Sequence, residues 1–354
     1  MAELQAATIG EPAAAGRGPR RAPAPRLVRG SAPGRGGVRH PLLKHVARRL
    51  LLSVPLLFLV SVLTFIVVAF IPGDPAARLL GTGGTAADYA RIDHQLGFDQ
   101  PLVVQYWRWL DQLLHGSLGA SIFTGQPVFT ELNQRLDVTL ALVIGATVVA
   151  AVIGIPLGTL AAVRRGRGRW AVDLLAWLGF AIPSFWLGYV LVNLFAVHWR
   201  LLPASGFVPF SQSPGGWFRA LILPVVTLAA PGMTAIAKQT RDSMLDVIDR
   251  DFITALRADG IPERSVIFRH ALRNAALPVL TTAGLLFVAT LSASVLVEQV
   301  FVLPGLGGLA VSAASSHDLP VIEGVVLYFA VIVVVVNLFI DLAYGWLDPR
   351  TGGR

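Results

Sequence analysis

Apolar residues in this chain come in long blocks, and the stretches between them hold most of the charge. Six blocks stand out, at about 50–71, 136–163, 170–197, 220–237, 277–302 and 321–347. A helix rises 1.5 Å per residue, so about twenty apolar residues cross the ~30 Å hydrocarbon core of a bilayer. The pattern therefore predicts an all-α, polytopic membrane protein with six transmembrane helices. The first block stops at Ile71-Pro72-Gly73-Asp74-Pro75, where two prolines and a glycine end a helix. Gly179, Pro183, Ser184 and Gly188 in the third block, and Pro224 with Pro231-Gly232 in the fourth, allow kinks or close packing.

The polar stretches set the direction of each crossing. Residues 1–41 are rich in Ala, Pro, Gly and Arg without apolar periodicity, and read as a disordered basic tail ahead of a membrane domain over 42–350. The block at 50–71 is too long for a secretory signal core. Arginines in the tail, with Lys44, Arg48 and Arg49, mark the N-terminal side as cytoplasmic. The segment 72–135 has few basic residues and reads as outer. Within it, residues 100–114 predict a helix whose Tyr106, Trp107 and Trp109 suit a membrane interface. Arg164, Arg165, Arg167 and Arg169 place the loop after the second block inside, and 303–320, with no Lys or Arg, falls outside. Both termini are then cytoplasmic.

Composition agrees. Of 354 residues, 54% are hydrophobic and only 14% charged, against about 25% charged in a typical soluble domain. The net charge of +8 is explained by one-sided loops, so nucleic acid is not implied as a partner, whereas membrane lipid is. No cysteine is present, which excludes disulfides and thiolate metal sites.

One polar island, 238–276, has a pattern of its own. Met244, Leu245, Ile248, Phe252, Ala255 and Leu256 recur at helical spacing and predict one amphipathic helix. Gly260 breaks it, Pro262 opens a second short helix through Ile267, His270 and Leu272, and Leu277-Pro278 re-enters the membrane. Two short helices joined by a glycine turn at a membrane surface make a docking surface for another protein.

Candidate chemistry is sparse. The only lysines, Lys44 and Lys238, do not follow a glycine, so a GxxxxGK[ST] phosphate loop is impossible and any ATP hydrolysis belongs to a partner. Gly119-Ala120-Ser121 begins like a nucleophile elbow but lacks the closing glycine, with His115 as its nearest base. No HExxH occurs and the histidines are scattered, so no metal or cofactor is expected. Asp137, Asp173, Glu298, Glu323 and Asp341 fall near span ends, where they are expected to reach water or headgroups. That leaves no mid-membrane charge for the alternative, an ion-coupled secondary transporter. Gly145, Gly154, Gly158, Gly188, Gly284 and Ser292-Ala293-Ser294 read as small packing faces, or as lining for a solute path.

The order of short motifs over 44–350 resembles the permease subunits of ABC importers of the dipeptide/oligopeptide/nickel family. These are Ile71–Pro75 as quoted, His115-Gly116 with Leu118-Gly119 and Ser121, and Asp251-Phe252, Thr254-Ala255, Arg257-Ala258 and Gly260. His270-Ala271-Leu272-Arg273-Asn274 and Leu277-Pro278 follow, then Glu298, Phe301, Pro304-Gly305 and Gly307, then Asp318 with Pro320, and last Asn337, Asp341-Leu342, Tyr344 and Asp348-Pro349-Arg350. The long segment between the first two spans is similar to that of the first of the two permeases in such systems. Leu256 and Asp259 depart from the family's usual residues, and the tail is extra. The resemblance implies an ABC type I importer permease fold in a bacterial inner membrane. It also implies a second permease subunit, ATP-binding ABC ATPase subunits and an extracytoplasmic solute-binding protein as partners. Asp251, Phe252, Thr254, Ala255, Arg257, Gly260, His270, Leu277 and Pro278 would form the ATPase-coupling loop. Peptide is the solute class it implies first, with nickel or another small solute as the alternative.

Overall fold

The computed structural model describes residues 41–70, 75–81, 84–164, 170, 174, 179 and 181–347. Among them every regular element is helical: α1 (Pro41–Ala69), α2 (Pro75–Leu80), α3 (Ala86–Leu96), α4 (Leu102–Leu114), α5 (Val128–Val163), α6 (Ser184–Leu191), α7 (Pro214–Ile248), α8 (Asp251–Ala258), α9 (Glu263–Ser265), α10 (Leu272–Phe301), α11 (Leu306–Ser316) and α12 (Leu319–Leu347). Wider π-helical turns extend α6 through Val192–His198 and join α9 to α10 through Val266–Ala271. The tail ahead of Pro41, Ile71 to Asp74, Arg165 to Arg169, Asp173 and Asp348 to Arg350 lie outside the described residues.

Five helical stretches are long and apolar enough to cross a membrane: Val46–Ala69, Val128–Val163, Pro214–Ile248, Glu263–Phe301 and Leu319–Gly345. The third expected span is represented by the shorter apolar helix Ser184–His198. Packing supplies the reason for a crossing there. Gly145 on α5 faces Val225 on α7, Gly154 faces Met233 and Ile236, and Gly158 faces Ala237 and Thr240. Position numbers rise together, so α5 and α7 run parallel, and the chain must return across the bilayer between them. A Cβ at Gly158 would stand 2.3 Å from the Ala237 carbonyl oxygen and one at Gly154 2.8 Å from that of Met233. Only glycine lets these backbones approach so closely, and packing is what joins helices within lipid.

The other pairs alternate. Gly284 of α10 meets Ile340 of α12, and the Thr281 and Tyr344 hydroxyls hydrogen-bond, so these two helices are antiparallel. Arg49 of α1 donates to Asp341 of α12 at 2.7 Å, while Val68 packs with Val321 and Val325, so α1 and α12 are antiparallel too. The described ends Pro41 and Leu347 therefore lie at the same end of the bundle as the segment after α7.

Val138, Leu142, Leu223, Ile236, Val279, Val297 and Phe301 form the main core where α5, α7 and α10 meet. A second core at the opposite end joins Val128 and Leu132 to Leu306, Leu309, Val321 and Val325. The glycines expected on packing faces are found there, and Ser294 is buried with its hydroxyl donating to the Leu291 carbonyl. Segment 84–127 covers that opposite end. Its α3 begins at a capping box in which Thr85 and Asp88 bond each other's backbone N–H. The Thr85 hydroxyl and N–H hold the Asp88 carboxyl below its ordinary value.

Three expectations change. Tyr106 and Trp109 are not presented to the surroundings: they are buried with Phe65 of α1, the Tyr106 hydroxyl bonds Ser61 at 2.9 Å, and only Trp107 of the three is exposed. Glu298 and Glu323 are buried, being 1% and 5% exposed: Gly305 and Gly307 lie against Glu298, and Glu323 lies among residues of α1, α4 and the loop before α5. The stretch 303–320, expected to be an outer loop, is mostly helical, as α11.

Candidate functional site: a docking helix at one end of the bundle

The amphipathic stripe of the polar island does not lie on one helix. The long helix α7 runs on to Ile248, so the polar loop proper begins at Asp249. There the backbone turns, and Arg250, with φ −81° and ψ 147°, leads into the separate helix α8. On an unbroken helix at 100° per residue, Ile253 would lie opposite Met244. The break rotates α8 so that Ile253 enters one core with Met244, Val247, Val266, Ile267, Ala271 and Ala275. Phe252, Thr254 and Ala255 are thereby turned outward, Phe252 being 38% exposed.

The far end of α8 is fixed by a complete glycine cap. The Gly260 N–H donates to Arg257 and the Ile261 N–H to Leu256, the two bonds of a Schellman motif. Leu256 and Ile261 both pack on the same core. Gly260 has φ +75°, and a Cβ there would meet nothing within 4 Å. Its freedom is thus required by the turn, and its outer face is open. Arg257 makes two hydrogen bonds to Glu263, of 3.1 and 2.7 Å, which tie α8 to the next element. That element is not a separate short helix. Glu263–Phe301 is one helical rod, and Pro262 stands just before its first turn.

Asp251, Phe252, Thr254, Ala255, Arg257 and Gly260 are accordingly brought together on α8 and its cap, all exposed. His270 is half-buried in the π-helical turn against which α8 packs. Leu277 and Pro278 lie further along, inside α10 and apart from the α8 face. α8 is anchored by Ile253 and by Arg257–Glu263 to a rod that runs into the bundle.

At the opposite end, a hydrogen-bond network between distant segments holds α11. Glu298 of α10 accepts from the Thr139 hydroxyl at 2.8 Å and from the Gly308 N–H at 2.9 Å. Thr139 in turn accepts from the Leu306 N–H at 2.8 Å. Two side chains from other helices thus satisfy N–H groups in the first turn of α11, where a carboxylate is favoured by the helix dipole. Gly305 and Gly307 lie against this carboxylate, where a Cβ would come within 2.9 Å of its oxygens. The Glu298, Pro304-Gly305 and Gly307 spacing was the only signal for it. Nearby, the Ser121 hydroxyl donates to Asp318 at 2.5 Å, while the His115 ring bonds the Asp111 carbonyl, so His115 is not paired with Ser121.

The structure is thus a helical bundle of membrane-spanning length that presents a short, anchored helix with an exposed face at one end. The chain belongs to the family of binding-protein-dependent transport system inner membrane components. The family's model matches residues 154–353, and that of its N-terminal region matches residues 42–143. A putative peptide transport system permease protein of Brucella abortus is 41% identical over 312 residues, covering 87% of this chain and 98% of that one. The oligopeptide transport system permease protein AppB of Bacillus subtilis is 37% identical, covering 86% and 98%. The dipeptide transport system permease protein DppB of Escherichia coli is 37% identical, covering 87% and 98%.

Proposed function

We propose that this permease forms half of the translocation pathway of an ATP-driven importer for peptides, paired with a second permease subunit in a bacterial inner membrane. ATP hydrolysis takes place in separate ABC ATPase subunits, and peptide arrives from an extracytoplasmic binding protein. The end carrying α8 faces the cytoplasm, with both termini on that side. The observation that carries this reading is the outward Phe252 face of α8, anchored by Ile253 and continuous through Glu263 with α10. When the ATPases close on ATP, they move α8, and the rigid connection tilts α10 and the helices packed on it. Access then alternates between the two sides of the membrane. The peptide assignment is supported by the names of the relatives, which include oligopeptide and dipeptide permeases.

The docking step is tested at Gly260. Gly260→Ala imposes left-handed strain of about 1–2 kcal/mol without filling the open face, whereas Gly260→Trp also fills it. With the complete importer in liposomes, the alanine variant should keep most of its peptide-stimulated ATPase and the tryptophan variant should lose it while remaining in the membrane. Normal stimulation in Gly260→Trp would sink the docking model. The solute is tested by recovering the chain from its native membrane in mild detergent and screening the co-recovered binding protein with dipeptides, longer peptides and nickel. Nickel binding without peptide binding would replace the peptide assignment.

A further inference from the structure

Where α1 and α12 run side by side at the α8 end of the bundle, a groove of about 180 Å³ opens between them. That is less than the ~300 Å³ at which small-molecule sites begin, so the groove does not enclose a free solute. Leu52 and Leu56 of α1 and Val334 and Leu338 of α12 form its apolar part, and Arg49, Ser53 and Asn337 its polar part. The Ser53 hydroxyl is committed, donating to the Arg49 carbonyl at 2.9 Å. Arg49 holds Asp341 through Nε at 2.5 Å and Nη2 at 2.7 Å. That grip uses one edge of the guanidinium, and the side chain stays 49% exposed with its Nη1 donors unused. Asn337 is exposed and its amide makes no hydrogen bond to any described residue. It stands within the span Leu319–Gly345, where hydrocarbon offers an amide no partner. Such a residue calls for a ligand that brings hydrogen-bonding groups to that depth.

The order of groups along the groove identifies that ligand. From the helix ends inward, the lining passes from Arg49 to Ser53 and Asn337, and then to Leu56 and Val334. Asp341, which holds Arg49, and Asn337 are one helical turn apart, about 6 Å along the axis. Cation, then amide, then hydrocarbon is complementary to the phosphate, glycerol ester and acyl chain of a phospholipid. We infer that this groove holds an anionic phospholipid. Its phosphate accepts from Nη1 of Arg49, an ester carbonyl accepts from the Asn337 amide, and an acyl chain lies on Leu56 and Val334. Asp341 orients the guanidinium without touching the lipid. The Arg49–Asp341 pair carries no net charge, so the preference for an acidic headgroup comes from Arg48, which is exposed at the next position and has no ion-pair partner among the described residues. Basic groups between spans suit acidic headgroups in this way. A free phosphate would satisfy Arg49 but neither Asn337 nor the apolar wall. The leaflet is the inner one in the orientation proposed above, while the site itself depends on neither that orientation nor the solute.

The test is native mass spectrometry of the complete importer, stripped of lipid in detergent and titrated with phosphatidylglycerol or with phosphatidylcholine of the same chains. The first phosphatidylglycerol is expected to bind about fivefold tighter than the first phosphatidylcholine, the effect of one arginine beside an acidic headgroup. Arg48→Gln should remove most of that preference and leave the melting temperature unchanged. Asn337→Leu should weaken both lipids several-fold, because the ester carbonyl is common to them. It should not lower the melting temperature, since it replaces an unbonded amide with an apolar side chain. Arg49→Gln combined with Asp341→Asn removes both charges together and should also weaken both lipids. If that double variant melts early, Arg48→Gln and Asn337→Leu decide the matter. Equal affinity for the two lipids would reduce the groove to ordinary contact with the bilayer and overturn the proposal. Parental binding in both Arg48→Gln and Asn337→Leu would overturn it too, and is the result expected if the second permease covers the groove. Competition by glycerol 3-phosphate as strong as that by phosphatidylglycerol would reveal a site for free phosphate and sink the lipid assignment.

Discussion

At the scale of single residues, Glu298 is the side chain most at odds with its position in an apolar helix. Its carboxyl group accepts the Thr139 hydroxyl and the Gly308 N–H, and Thr139 accepts the Leu306 N–H. Removing the carboxyl leaves buried donors unmatched, and each costs about 1–3 kcal/mol. Glu298→Ala should therefore lower the melting temperature in detergent strongly. Glu298→Gln, which keeps one acceptor oxygen but turns an NH₂ group toward a donor, should lower it less. Equal stability of the alanine variant and the parent would show that the network does not hold α11 in place. The residue was visible in the sequence as part of a short motif, yet its partners lie far away along the chain. No local spacing pairs Thr139 with Glu298, which is why proximity to a span end read as contact with water.

At the scale of elements, the docking loop separates what periodicity can and cannot give. Six of the nine residues expected to form the coupling loop gather on α8 and its cap, while His270, Leu277 and Pro278 do not; the stripe through Met244 and Leu256, moreover, implied one continuous helix with Phe252 on its buried side. In the folded chain the break at Asp249-Arg250 exchanges the roles of Phe252 and Ile253. Each neighbour then predicts a different phenotype. Ile253→Ala opens a hole in a fully buried site and should cost about 2–5 kcal/mol, read as faster hydrogen exchange over 251–258. Phe252→Ala removes a half-exposed ring and should change stability by no more than about 0.5 kcal/mol while abolishing peptide-stimulated ATPase. If Phe252→Ala instead melted the loop and left coupling intact, the outward face would not be the docking face. Two apolar neighbours of similar hydrophobicity are told apart only by which one the surrounding core has room to accept.

At the scale of the whole molecule, the parallel packing of α5 and α7 makes a strong demand on topology. Two spans running the same way require a return crossing between them, and the alternation of α7, α10 and α12, with α1 antiparallel to α12, extends the count to six. The absence of cysteine makes the sidedness directly measurable. Single cysteines placed at the exposed positions Ser117 and Ala258 should react oppositely with a membrane-impermeant maleimide. In right-side-out vesicles Cys at 117 should label and Cys at 258 should not, with the pattern reversed in inverted vesicles. Labelling of both from one side would break the six-span topology.

The class of the protein and the number and order of its apolar helices were legible in the chain alone. The physical reason is that a bilayer imposes a length and an apolar composition on every span, and both are local properties of a chain. The small-residue faces at Gly154, Gly158 and Gly284 were legible for the same reason, since a missing side chain is visible without knowing what approaches it. Which side of α8 faces out, that Tyr106 and Trp109 pack on α1, and that Glu298 caps α11 emerge only once the helices are packed. Each of these depends on which distant helix occupies the adjacent space, and contacts across a membrane bundle are set by close packing between segments that no local pattern connects.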